Sequence, residues 1–137
     1  MLEIAGSQVT SHHVEFIHAD LLEWDGPTDA FDLIVTNFFL DCFPADQLAL
    51  VISKLGKCAT PDAHWLLADF EIASTPLAAL RGRVIIGMLY IFFRTVTGLK
   101  AFTLVPPEDD LEKAGFSLHR RQTQDWGLLK SDWWWRN

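Results

Sequence analysis

The stretch FDLIVTNFFLDCFP, Phe31 to Pro44, brings an amide, a carboxylate and a thiol close together at Asn37, Asp41 and Cys42. A carboxylate in this place can accept a proton or orient a reacting group, or it is a solvated or helix-capping acid. Leu33, Ile34 and Val35 form the unbroken apolar run of a buried strand, so the polar groups begin where that strand stops. Two other apolar runs end alike: VEFIHA, Val14 to Ala19, at Asp20, and HWLLADF, from His64 to about Ala68, at Asp69. In open parallel sheets ligands bind in the crevice beyond the carboxyl ends of the strands. A carboxylate or amide there is solvated or paired and escapes the cost of unpaired burial. Asp and Asn also end strands without any functional role; recurrence at three strand ends favours a binding rim.

The elements that must position these groups follow from periodicity and from the placing of Gly and Pro. Met1 to about His12 reads as a short or partial helix and 14–19 as a strand, followed by the turn DGPTD with Gly26 and Pro27. Strand 31–36 leads to a helix from Pro44 to Ala59, in which Leu48, Val51, Ile52 and Leu55 share a stripe and Pro44 occupies the first turn. TPDA, Thr60 to Ala63, then turns the chain into strand 64–68. A long apolar helix runs from Thr75 or Pro76 to about Thr97. Pro106 and Pro107 introduce a short acidic helix closed by Gly115. Strands 116–123 and 128–135 form a hairpin across QDWG, with Trp133, Trp134 and Trp135 alternating between its faces as core packing. Strand and helix alternate in the first half, which predicts an α/β fold with a parallel sheet covered on both faces.

The 137 residues, half of them hydrophobic, suit one domain, residues 1–137, burying about two thirds of its unfolded surface. A net charge of −7 without a basic cluster argues against nucleic acid as a partner. Cys42 and Cys58 have no metal-ligand spacing and are too few to staple the domain, and Met1 to Ser11 lacks the basic and apolar regions of a signal peptide, so a cytoplasmic protein is expected. The histidines are scattered or, at His12 and His13, adjacent, which gives no metal motif. VIIGMLYIFF, Val84 to Phe93, is only ten residues long, against about 20 needed to cross a bilayer. A buried helix is expected, with a helix on a membrane surface or over an apolar substrate as alternatives.

VEFIHADLLEW followed by FDLIVTNFFLDCF, then LGKCATPDAHWLLADF and the terminal EKAGFSLHRRQTQDWGLLKSDWWW, resembles the later part of a class I S-adenosylmethionine-dependent methyltransferase over nearly the whole chain. The resemblance implies a Rossmann-like sheet with a C-terminal antiparallel hairpin, in the family strand order 3, 2, 1, 4, 5, 7, 6. It implies that Asp20 binds the adenine amino group of S-adenosylmethionine and the Leu21 backbone a ring nitrogen. Asn37 and Phe38 would lie beside the methionine part and the transferred methyl. Phe39, Asp41 and Cys42 would face the methyl acceptor, with Asp41 the candidate catalytic residue, while Tyr90 and Phe93 of the apolar helix would wall the site. The acceptor implied is a small, apolar or aromatic molecule; NFFL carries the Asn of nucleobase amino-methyltransferases but neither of their prolines.

The family's Gly-rich loop, GxGxG, and its second-strand acid have no counterpart in the sequence. The chain therefore reads as an N-terminally truncated, partial methyltransferase domain, a fragment of a longer reading frame or a short remodelled protein, with self-association expected through an exposed sheet edge. A non-catalytic remnant acting as a binding or interaction module is the alternative. A phosphoacceptor receiver domain shares the alternating pattern but requires an Asp where Asn37 stands.

Overall fold

Alternating burial, with Ala63, Trp65 and Leu67 of the central strand on one face, belongs to four strands that meet in one mixed sheet. In the computed structural model, which describes residues 14–71, 75–97 and 105–136, these are β1 (Phe31–Asn37), β2 (Ala59–Phe70), β3 (Phe116–Gln124) and β4 (Leu129–Arg136). Their order is β1-β2-β4-β3, parallel between β1 and β2 and antiparallel elsewhere. Helix α1 (Ala45–Cys58) joins β1 to β2, and the long helix α2 (Pro76–Thr97) and the short α3 (Glu108–Lys113) lie between β2 and β3. Pro44 caps α1 in an extended conformation instead of entering its first turn, and Gly115, at φ 90°, closes the turn after α3 as a residue with a side chain would resist.

The core lies on one face of the sheet. Leu48, Val51 and Ile52 of α1 and Leu111 of α3 cover Ile34, Ala63, Trp65, Leu67, Phe116 and Trp134. Trp65 packs edge-on against Phe116, ring centroids 5.3 Å apart, and its indole N–H donates to the Thr36 hydroxyl at 2.9 Å. Trp65→Phe keeps most of the packing but orphans that buried hydroxyl, so it should cost about 1 to 2 kcal/mol in a urea titration. An unchanged midpoint would mean the bond contributes nothing.

Several expectations are corrected. Residues 14–19 form no strand: Val14, Phe16 and Ile17 are exposed, and among the described residues no strand pairs with the outer edge of β1. An apolar run without a neighbour to complete its hydrogen bonds has no reason to be a strand. Thr60 to Ala63 are not a turn but the first part of β2. Among the described residues the sheet is covered on one face only: Leu33, Val35, Leu66, Trp133 and Trp135 are exposed on the other, so the three tryptophans alternate as expected but only Trp134 is core. Helix α2 is not buried; Ile86 is, whereas Leu77, Leu80, Val84, Met88 and Ile91 face solvent. The helix expected over 1–12 lies outside the described residues. No helix among those described is long and apolar enough to cross a membrane.

Candidate active site

β1 ends in an irregular turn that a regular strand could not produce. Asn37, the last strand residue, is exposed, and Phe38 turns the chain at φ 49°, in the left-handed region where a bulky residue is strained. That turn is fixed from two sides: the Phe38 N–H donates to the Ala68 carbonyl at 2.8 Å, and the Phe38 ring lies 5.1 Å from that of Phe70. The sharp change of direction sends Leu40–Cys42 into a single 3-10 turn, carrying Asp41 back towards the end of β2. Phe39 stays partly exposed, against Phe43.

Asp69 meets Asp41 there. It follows Ala63, Trp65 and Leu67 at period two, so it points to the covered face of the sheet and is only 3% exposed; Asp41 is buried too. The Phe70 N–H donates to Asp69 Oδ1 at 3.0 Å, and the backbone N–H and carboxyl of Asp41 lie beside it. Burial and then the Asp41 charge push Asp69 up to about 7, against the pull of these N–H groups and of Lys130, its cross-strand neighbour. Burial also raises Asp41, although hydrogen bonds from Cys42 and Asp69 oppose it. Two buried carboxyls so close do not both ionise, and the pair holds one proton near neutral pH. Such a pair can take or give a proton at working pH.

The groups around the pair stay neutral. Cys42 Sγ lies 3.6 Å from Asp41 Oδ1, and burial with the neighbouring carboxylates pushes its thiol up to about 12, which removes it as a nucleophile. Tyr90 reaches across from α2, its hydroxyl donating to the Asp41 backbone carbonyl at 3.3 Å; burial and the nearby acids raise it likewise to about 12. Asp69 also borders a cavity of about 200 Å³ lined by Glu71, Val105, Pro107, Glu108 and Lys130.

Beneath the cavity an ion network spans the buried face. Arg121 donates to both oxygens of Asp132, at 2.7 and 2.6 Å, and to Glu108 at 2.6 Å, with Glu71 at 3.4 Å; Lys130 donates to Glu108 at 2.6 Å. Burial works against the Glu108 carboxylate, but Lys130 and Arg121 together outweigh it and hold it below the ordinary value. Two cations thus face three carboxylates, and Lys130, which also pulls on Asp69, is shared with Glu108 and does not outweigh the burial of the Asp41–Asp69 pair.

The structure brings Asn37, Phe38, Phe39, Asp41, Cys42 and Tyr90 to one end of the sheet. Asp20 and Leu21 belong to a preceding turn: Asp20 Oδ1 accepts from the Leu22 N–H at 2.9 Å and its carbonyl from the Glu23 and Trp24 N–H groups, while Leu21 packs against the core. Phe93 lies on α2, its side chain outside those described. Asp69, noted in the sequence only as a strand end, proves to be one half of a buried carboxyl pair, and Lys130, Arg121, Asp132 and Glu108 were missed. Their signal was present: in LKSDWWWR, Lys130 and Asp132 share the period-two face of Trp134, and charges on a core face demand partners.

No protein-family model and no curated protein sequence matches the chain. Solved structures do. An S-adenosylmethionine-dependent methyltransferase from Mesorhizobium loti is matched over 99% of this chain and 76% of its own, at 16% identity and a TM-score of 0.73. The mitomycin 7-O-methyltransferase MmcR is matched over 99% of this chain and 38% of its own, at 17% identity and a TM-score of 0.73. A 1,6-didemethyltoxoflavin-N1-methyltransferase from Burkholderia thailandensis, with its substrate and S-adenosylhomocysteine bound, is matched over 98% of this chain and 56% of its own, at 16% identity and a TM-score of 0.66. The chain therefore spans less than two thirds of the latter two. At these identities the likeness establishes the fold alone, a small α/β domain with a mixed four-stranded sheet that matches class I S-adenosylmethionine-dependent methyltransferases.

Proposed function

We propose that the carboxyl ends of β1 and β2 form part of a methyl-transfer site for a small, apolar or aromatic acceptor, completed by a Gly-rich cofactor loop that these 137 residues do not contain. The observation that carries this reading is the buried Asp41–Asp69 pair, set at two adjacent strand ends in a fold whose neighbours bind S-adenosylmethionine or its product.

S-adenosylmethionine, when bound, supplies an electrophilic methyl on a sulfonium. The residues present carry groups that suit the chemistry of the adenine and methyl ends of such a ligand. Asp20 is oriented through Oδ1 by Leu22, while Oδ2 has no hydrogen-bond partner among the described residues; it would accept from an adenine amino group beside the Leu21 N–H. Asn37 and the strained Phe38 offer an amide and a half-exposed ring at the methyl end. Asp69, with Asp41, takes the proton that an acceptor hydroxyl or amine loses, and returns it to solvent. Phe39, the neutral Cys42 thiol and Tyr90 wall the acceptor. Holding reactants in line is the main demand of such a displacement.

Titrating the full chain with S-adenosylhomocysteine by NMR should shift the amides of 20–22 and 37–38 together, with weak affinity, and Asp20→Ala should weaken binding about tenfold, the loss of one charge-assisted hydrogen bond. Shifts confined elsewhere, or none, would favour the second reading, a non-catalytic interaction module. Among the described residues one face of the sheet is uncovered and the outer edge of β1 unpaired, which supports that alternative.

A further inference from the structure

Helix α2 turns one face to the protein and an apolar face to solvent. Tyr90, Ile86 and Gly82 lie on the inner side, Gly82 beside Leu128. Leu77, Leu80, Val84, Met88 and Ile91 recur at helical spacing on the outer side, Leu77 being 76% exposed and Ile91 68%. The stripe continues onto the β3–β4 turn. There Trp126, 77% exposed and held at φ 60°, closes a shallow groove with Leu77, Leu80, Val84 and Ile85. A solvent-facing tryptophan in a strained backbone conformation is held out for contact, since packing gives no reason for it.

Charge distinguishes the occupants of this face. Residues 76–97 contain Arg81, Arg83 and Arg94 and no acidic residue, in a chain of net charge −7 with 18 Asp and Glu. Arg81 is neutralised by Asp125 at 3.1 Å; positions 83 and 94, three turns apart, fall on one flank of the apolar stripe. Two copies of α2 packed face to face would bring these like charges together, whereas an anionic surface pairs with them. The helix does not combine the length and apolarity needed to cross a bilayer, but an apolar stripe flanked by arginines, with a tryptophan at its edge, has the chemistry of a helix lying in the headgroup region. We propose that α2 and Trp126 dock this protein onto an anionic lipid surface.

The test uses the whole chain with vesicles of phosphatidylcholine alone or with one third phosphatidylserine, in a flotation assay. Binding should be about tenfold stronger to the anionic vesicles, fall in 0.5 M salt, and be abolished by the pair Leu80→Glu and Met88→Glu. Both residues face solvent, so the fold should survive, as circular dichroism would verify. Brominated lipid should quench tryptophan emission in wild type and less in Trp126→Phe. Absence of binding overturns the proposal. Binding that survives the double substitution but is lost in Leu66→Glu assigns the contact to the open sheet face and also overturns it. So does a dimer in light scattering that the double substitution dissociates, since α2 would then be covered by a second copy. None of these outcomes depends on S-adenosylhomocysteine binding.

Discussion

Replacing Arg121 by methionine should destabilise the protein by about 3 to 5 kcal/mol, the cost of stranding a buried charge. Its carboxylate partner Asp132 has a fully buried side chain and receives two hydrogen bonds from the guanidinium. Methionine fills much of the volume but offers no donor, and Lys130, held by Glu108 at 2.6 Å, has little freedom to replace it. Against a typical total stability of about 5 to 15 kcal/mol such a loss brings the domain near unfolding at room temperature. The double variant Arg121→Met with Asp132→Leu should recover most of the loss, because a buried pair removed whole is close to neutral. Urea titrations of the two single variants, the double variant and wild type give the coupling directly. If Arg121→Met alone costs under about 1 kcal/mol, water reaches Asp132 and the network is superficial.

The second large effect is on the pH dependence of stability. Asp69 keeps its proton up to about pH 7 in the folded protein but has an ordinary value of 3.8. Between those values the native state binds more protons than the unfolded chain, so this group's contribution is fully present below about pH 4 and is lost as the pH rises through about 7. Asp69→Asn has no such group, and its amide can still donate to Asp41. It should match wild type near pH 4 and exceed it at pH 8 by about 2 to 4 kcal/mol. Thermal denaturation across that range would show it as a flattened profile. An unchanged slope would mean that the pair does not share a proton, and the acid-base role proposed for it would fall. The same substitution should leave the stripe on α2 untouched.

The parts of the fold legible in the sequence are those that local pattern dictates. The stripe Leu48, Val51, Ile52 and Leu55 places α1, although the helix stops at Cys58, one residue before the expected end; Pro107 and Gly115 bracket α3; the QDWG break separates β3 from β4. What was not legible depends on neighbours. VEFIHA has the composition of a strand, but hydrogen bonds from an adjacent strand make one, and among the described residues none is there. VIIGMLYIFF reads as core because it is apolar all round, yet only the side bearing Ile86 meets the protein. The site was half legible. The end of strand 31–36 marked Asn37 and Asp41, while the importance of Asp69 comes from the reversal at Phe38 that returns Asp41 to it, a turn no local signal in NFFL announces.

The pairing of β2 with β4 has a consequence for how the chain is assembled. β1, α1 and β2 are contiguous, as are α3, β3 and β4, so each half can form from contacts close in sequence. The register that joins them, His64 with Trp135 through Phe70 with Leu129, closes the longest loops of the fold. Such closure slows folding, because its entropy is lost before the non-local contacts form. The same entropy grows only logarithmically with length, each doubling adding about 0.6 kcal/mol. The intervening stretch that carries α2 is therefore where this chain can lengthen, shorten or exchange sequence at least cost, with both halves of the sheet still finding the same register.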